Sequence, residues 1–181
     1  MVSQIPKPHT RLTSNSATFD FYHGDCIEIL DRLPPGSIDA IVTSPPYNLG
    51  IRYRSYDDTI PRGQYLKWTG EWVSRAARVM AADGSLFLNV GAKPTDPWTA
   101  IDIAQATRPY LQLQNTIHWI KSIAIEKSLA GTNSKLADDI AVGHYKPINS
   151  RRFLHDCHEF VFHFTAGGQT PIDRLSIGVR Y

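Results

Sequence analysis

Ser44, Pro45, Pro46 and Tyr47 are consecutive residues whose types combine into one chemical device. Two prolines in a row fix φ, keep the preceding residues extended and remove two backbone N–H donors. What remains is a stiff turn offering carbonyl acceptors and the Ser44 hydroxyl, with the Tyr47 ring beside them. Such a turn suits an exocyclic amino group on a nucleobase. That nitrogen is a poor nucleophile because its lone pair is delocalised into the ring. Accepting its two N–H bonds, at the Ser44 side chain and at a carbonyl of the proline pair, favours a pyramidal nitrogen whose lone pair can attack. Tyr47 can stack on a base that has left the duplex. Such stacking contributes about 1–3 kcal/mol against the few kcal/mol that extrusion costs. No covalent nucleophile is needed. The same four residues would also serve as a plain loop turn or as a polyproline-type ligand for a partner. Their place directly after Asp39-Ala40-Ile41-Val42-Thr43 favours a site, since open α/β sheets bind ligands at the carboxyl ends of strands.

The elements that must hold this turn follow from periodicity. Residues 1–18 are polar, proline-bearing and without period, which predicts a loose N-terminal arm. Phe19 to Tyr22 reads as a short strand. Asp25 sits where a helix N-cap belongs, and Ile27, Leu30 and Leu33 recur at helical spacing until Pro34-Pro35-Gly36. The nearly all-apolar run Ile38 to Val42 predicts a buried parallel strand. A helix opened by Pro61 lines up Tyr65, Trp68, Trp72, Ala76, Val79 and Met80 and closes at Asp83-Gly84. Leu86 to Val90 is a second buried strand, Pro97 to Arg108 a helix, Gln114 to Ile120 a strand and Glu159 to Phe164 the last strand. Residues 121–157 read as loop-rich, with Lys121, Lys127, Lys135, Lys146, Arg151 and Arg152 among them. Alternation of strand and helix predicts an α/β layered sheet with crossover helices.

Composition narrows the setting. With 42% hydrophobic and 20% charged residues among 181, the chain can bury a core and is not of a disordered class. Nineteen Lys and Arg against seventeen Asp and Glu exclude a basic or acidic tail, while leaving room for a local basic face. No apolar run approaches the roughly 18 residues of a membrane span, and no secretory h-region opens the chain. A cytoplasmic location without a membrane partner is expected. Cys26 and Cys157 form no CxxC pair, which predicts reduced thiols. The tetrad His155-Asp156-Cys157-His158 lacks a second ligand pair at zinc spacing, so these are read as loop and strand residues and no metal is expected.

The run His23-Gly24-Asp25-Cys26, then Leu33-Pro34-Pro35-Gly36-Ser37-Ile38 through Ser44-Pro45-Pro46-Tyr47-Asn48-Leu49-Gly50, resembles the opening of an amino-group DNA methyltransferase. It is similar to the permuted, beta-type branch, in which the catalytic motif precedes the Gly-rich cofactor motif. The likeness continues through Gly84 to Gly91, Ile117 to Lys121 and His158 to Phe164, and so covers nearly everything from Phe19 onward. The resemblance implies a Rossmann-like α/β sheet, with S-adenosylmethionine as cofactor and double-stranded DNA as partner, in a restriction–modification setting. A serine at position 44 tilts the target toward cytosine N4 and leaves adenine N6 open. Cytosine C5 chemistry is set aside because neither cysteine follows a proline. Asp25, read above as a helix cap, is placed by the resemblance near the cofactor's adenine, with Cys26, Thr43 and Ser44 along the same ligand. Asn48, Arg52, Arg54 and Lys121, beyond the strand ends, are candidates for contact with the DNA. Arg62, Lys146, Arg151 and Arg152 are further phosphate candidates, although a solvated loop explains each of these charges equally well. Trp68, Trp72 and Trp119 are read as core.

The Phe-x-Gly-x-Gly cofactor turn of the family is absent. Ala166-Gly167-Gly168-Gln169 has no helix after it, and Asn89-Val90-Gly91-Ala92 has one glycine. Residues 19–181 are therefore expected to form a partial catalytic domain whose sheet is incomplete, with an open edge and uncovered apolar surface. Three readings stand: a truncated enzyme, one half of a split enzyme that meets a separately encoded cofactor-binding half, or a non-catalytic module that binds DNA or a partner.

Overall fold

The computed structural model describes residues 6–54, 56–125, 140–144, 150–154 and 158–173, with the backbone alone for 122–125 and 140–144. Eleven elements follow in chain order: β1 (Thr10–Thr13), β2 (Thr18–Phe21), α1 (Cys26–Arg32), β3 (Ile38–Thr43), α2 (Arg62–Val79), β4 (Met80–Val90), α3 (Trp98–Thr107), β5 (Gln112–Ile120), β6 (Ser122–Ile125), β7 (Ile140–His144) and β8 (His158–Thr165). Four of them build the main sheet in the order β3-β4-β8-β5. β3 and β4 are parallel, and β8 lies antiparallel between β4 and β5.

Local chemistry accounts for the helices. Asp25 caps α1 by accepting the Ile27 N–H at 2.8 Å, and the Leu33 N–H closes on the Leu30 carbonyl just before Pro34. Arg75 of α2 pairs with Asp31 at 3.0 Å and so ties α1 down. Along α2, Tyr65, Thr69, Trp72, Val73, Ala76 and Val79 are buried, a stripe at the helical period. That stripe meets Leu86, Leu88 and Val90 of β4, Phe162 and Phe164 of β8, and Ala100 and Ile103 of α3 in one core.

The period of two in a strand then determines what the opposite sheet face carries. Val42, Phe87 and His163 are lateral neighbours there, as are Val161 and Ile117. The outer parts of that face are open, with Val42 79% exposed, Ile117 43% and Trp119 54%, whereas His163 at its centre is buried to 1%. The reading of Trp119 as core is thus corrected, because its strand position turns it to the open side. Trp72 is buried and Trp68 half-buried, as expected of a helix stripe.

Four further expectations change. β3 is parallel but not buried, because it is the edge strand of the sheet and covered on one face only. Thr10–Thr13, within the segment read as a loose arm, pairs with Thr18–Phe21 as an antiparallel hairpin, and Arg11 grips its cross-strand partner Asp20 at 2.5 and 2.6 Å. Such pairing depends on a neighbouring strand and leaves no local period to read. The stretch read as loop-rich contains β6 and β7, paired with each other. Helix α2 ends at Val79 rather than at Asp83-Gly84, and the chain runs straight into β4. Gly84 has a different role: a Cβ there would sit 3.0 Å from the Ala81 carbonyl oxygen and 3.1 Å from that of Ile38. Only glycine lets β4 close on β3 at the register shift between Ile38 and Ala40. Lys127, Lys135, Lys146, His155, Asp156 and Cys157 lie outside the described residues.

Candidate active site

Parallel pairing makes β3 and β4 end at the same rim, with Thr43 opposite Leu88. The turn Ser44–Tyr47 leaves β3 beside Asn89 and Val90, the last residues of β4, and Gly91, which follows it. The Ser44 Oγ and Tyr47 hydroxyl are 2.6 Å apart. Asn89 Nδ2 donates to the Tyr47 hydroxyl at 2.7 Å and to Glu159 Oε2 at 2.9 Å, and lies 3.3 Å from Ser44 Oγ. Lys121 Nζ donates to Glu159 Oε1 at 2.5 Å and stands 4.8 Å above the Trp119 ring. Partial burial pushes the Tyr47 phenol above its ordinary range, and the negative charge of Glu159 pushes the same way. Tyr47 is therefore a neutral donor and acceptor at neutral pH.

The ring of Tyr47 is seated by Gly91, where a Cβ would come within 3.1 Å of Tyr47 Cε2. The prolines are seated from below, since the buried Tyr65 hydroxyl of α2 donates to the Pro46 carbonyl at 2.6 Å. Among the described residues the Pro45 carbonyl has no such partner, which leaves it available as an acceptor. Beyond Tyr47 the chain is pinned by Asp58, 2% exposed. Its carboxylate accepts the N–H groups of Asn48, Leu49 and Ile51 at 2.9, 3.0 and 2.9 Å. Asn48 takes a left-handed φ of 57°, which its side chain helps hold by donating to the Ile60 carbonyl at 2.8 Å. The motif is thus a rigid platform built from both strand ends, α2 and a carboxylate-centred loop.

A largely apolar groove of about 560 Å³ opens beside this platform, between the start of α1 and the end of β3. Gly24, Cys26, Ile41, Thr43, Pro45 and Pro46 are among its lining residues. Its size and apolar walls fit a nucleoside-sized ligand. Cys26 contributes a free thiol there, pushed up by desolvation. The Asp25 carboxylate is exposed and committed to the α1 cap.

Thr43, Ser44, Pro45, Pro46, Tyr47 and Asn48 are therefore contiguous at the rim, with Cys26 across the groove. Lys121 joins them through Glu159. Arg52 and Arg54 are exposed on the loop after Tyr47, where the backbone of Arg52 pairs antiparallel with that of Asp57. Arg151 and Arg152 are also exposed. Arg62 is committed elsewhere: it pairs with Asp96 and, at 3.1 Å, with Asp102, joining α2 to α3. Asn89, Glu159, Asp58 and Tyr65 are the members that sequence reasoning did not single out. A polar Asn inside the apolar alternation of β4 was the one visible signal.

A DNA methylase family model matches residues 38–181. The Type II methyltransferase M.ScaI of Streptomyces caespitosus is 33% identical over 119 residues, covering 63% of this chain and 38% of that protein. Among solved structures, the cytosine-N4-specific PvuII DNA methyltransferase superposes with a TM-score of 0.61 at 18% identity, over 87% of this chain and 52% of that one. TTHA0409 of Thermus thermophilus, complexed with S-adenosyl-L-methionine, does so with 0.52 at 19% identity, over 87% and 61%. The two structures share the fold. The chain spans only about 38% of M.ScaI and little more than half of the solved structures.

Proposed function

The chain belongs to the N6/N4 DNA methylase family, and on that premise we propose that it serves methyl transfer to the exocyclic amino group of a DNA base, with cytosine N4 favoured over adenine N6. The observation that carries this reading is the Ser44–Tyr47–Asn89 cluster at the shared rim of β3 and β4, next to a nucleoside-sized groove. S-adenosylmethionine, the cofactor of this reading, supplies an electrophilic methyl group when bound. Ser44 and the Pro45 carbonyl face the amino edge of the flipped base and orient it. Tyr47 stacks on that base. Asp25, Cys26, Thr43 and Ser44 line the cofactor side. Arg52, Arg54 and Lys121, with Asn48 holding the loop, meet DNA phosphates. We assign residues 19–181 to a partial catalytic domain working in the cytoplasm.

Among the described residues no strand pairs with the outer edge of β3, and parts of one sheet face are exposed, which supports a separately encoded cofactor-binding half as a partner. The test is incorporation of labelled methyl from S-adenosylmethionine into mixed-sequence duplex DNA, followed by mass spectrometry of the nucleosides. N4-methylcytosine, reduced but measurable in Ser44→Ala and Tyr47→Ala, is the expected result. N6-methyladenine would correct the base. Absence of both with a folded chain, alone and mixed with a Gly-rich methyltransferase half, would overturn the reading.

A further inference from the structure

We propose that Glu159 and Asn89 impose a direction on the hydrogen bonds around Tyr47, so that Ser44 presents its hydroxyl hydrogen, not only a lone pair, to the target base. The inference rests on the methyltransferase reading and narrows its substrate: the base must carry an unprotonated ring nitrogen next to its amino group.

The argument is a count of donors and acceptors. A carboxylate only accepts. Glu159 receives Lys121 at Oε1 and Asn89 Nδ2 at Oε2, so the Asn89 amide must turn its NH2 group toward Glu159. The reverse orientation would set two oxygens against each other. The Asn89 Oδ1 is accordingly buried without a partner, a cost the site bears to keep this orientation. With one hydrogen spent on Glu159, the second Asn89 hydrogen goes to the Tyr47 oxygen at 2.7 Å, closer than Ser44 at 3.3 Å. Tyr47 then has a single hydrogen left and two acceptors in reach, Ser44 Oγ at 2.6 Å and the Glu159 carboxylate; both Glu159 oxygens already receive a donor, which assigns the hydrogen to Ser44. The Ser44 hydrogen can turn neither to Tyr47, which is already donating, nor to the partnerless Asn89 oxygen. It points out of the cluster.

The rim therefore shows a base one donor, Ser44, beside one acceptor, the Pro45 carbonyl. That pair complements an amino group flanked by a ring nitrogen: N4 with N3 in cytosine, or N6 with N1 or N7 in adenine. Thymine offers a carbonyl where the amino group should be and leaves the Pro45 carbonyl without a hydrogen, and guanine meets the pattern only from its N3 side, because its N1 carries a hydrogen. Glu159 and Asn89 are positioning residues in this scheme, because they act on the base through Tyr47 and Ser44.

Two experiments on the 181-residue chain decide it. Neutron diffraction from crystals in heavy water locates the hydroxyl deuterons: the Tyr47 deuteron is expected on the line to Ser44. A Tyr47 deuteron turned to Glu159, with the Ser44 deuteron turned to Tyr47, would overturn the proposal whatever the activity. In parallel, methyl transfer is compared on synthetic DNA carrying cytosine or 3-deazacytosine, and adenine or 1- and 7-deazaadenine. Losing the ring nitrogen weakens pairing and so favours extrusion, yet the rate is expected to fall roughly tenfold or more. That penalty should vanish in Ser44→Ala and shrink in Glu159→Gln, whose amide can present either atom to Asn89. Equal rates on both bases would sink the proposal and leave the methyltransferase reading standing. No transfer to any DNA, by the chain alone or mixed with a Gly-rich methyltransferase half, would instead remove that reading, and the deuteron positions would then decide the direction of the network by themselves.

Discussion

The hydroxyls of Ser44 and Tyr47 meet at 2.6 Å across two consecutive prolines. Prolines that hold a chain extended would by themselves carry the two side chains apart. The approach is enforced from outside the turn, by the Tyr65 hydroxyl on the Pro46 carbonyl and by Asn89 on the Tyr47 hydroxyl. The motif is shaped by its support as much as by its own residues, and its variants should be judged accordingly.

Tyr47→Phe keeps the ring and removes the hydroxyl that links Ser44 to Asn89. Methyl transfer should drop by roughly tenfold, the effect of one hydrogen bond near 1 kcal/mol or slightly more. Tyr47→Ala also removes the stacking surface, and a further loss equivalent to about 1–3 kcal/mol should appear in binding to duplexes with an extruded base. Fluorescence of 2-aminopurine at the target position separates the two effects.

Asp58→Ala leaves the N–H groups of Asn48, Leu49 and Ile51 without their acceptor. Unsatisfied buried donors cost about 1–3 kcal/mol each, less where water can enter. A stability loss of about 2–4 kcal/mol in urea denaturation is expected, with faster amide exchange in the loop following Tyr47. An unchanged midpoint would mean that the loop is held by something other than this carboxylate.

Three arginines follow the motif and should behave differently on DNA. Removing Arg52 or Arg54, both exposed, should lower the slope of log affinity against log salt by about 1 each. Arg62 is held by Asp96 and Asp102, so Arg62→Ala should leave that slope alone and lower the melting temperature instead. Titrations at several salt concentrations read the difference directly.

His163 is 1% exposed, stacked on Phe87, with Asn115 and Ser85 each 3.0 Å from a ring nitrogen. Burial lowers its pKa from the ordinary 6.5. Between that lowered value and 6.5 the unfolded chain binds a proton that the folded chain refuses, so stability rises with pH across the window. Stability should fall as pH drops below about 6.5, and the fall should be smaller in His163→Gln. Urea midpoints at about pH 5 and about pH 7.5 for both proteins test it.

Much of this protein is written locally in its sequence. The Asp25 cap, the α2 stripe, the apolar alternation of β4 and β8 and the Ser-Pro-Pro-Tyr turn after β3 all depend on neighbours a few residues apart, and each was legible for that reason. The members of the site that come from afar were not. Asn89 and Glu159 reach Tyr47 and each other only because β3 lies parallel to β4, and β8 antiparallel to it, in one particular register. The same holds for Arg62, whose charge reads like a phosphate ligand until α3 brings Asp96 and Asp102 against it. It also holds for β3, whose apolar run looks buried until the sheet order leaves it at the edge. Residue type and spacing determined which chemistry the turn can perform. Strand register, which no short window of sequence encodes, decided which groups support it and which way its hydrogen bonds run.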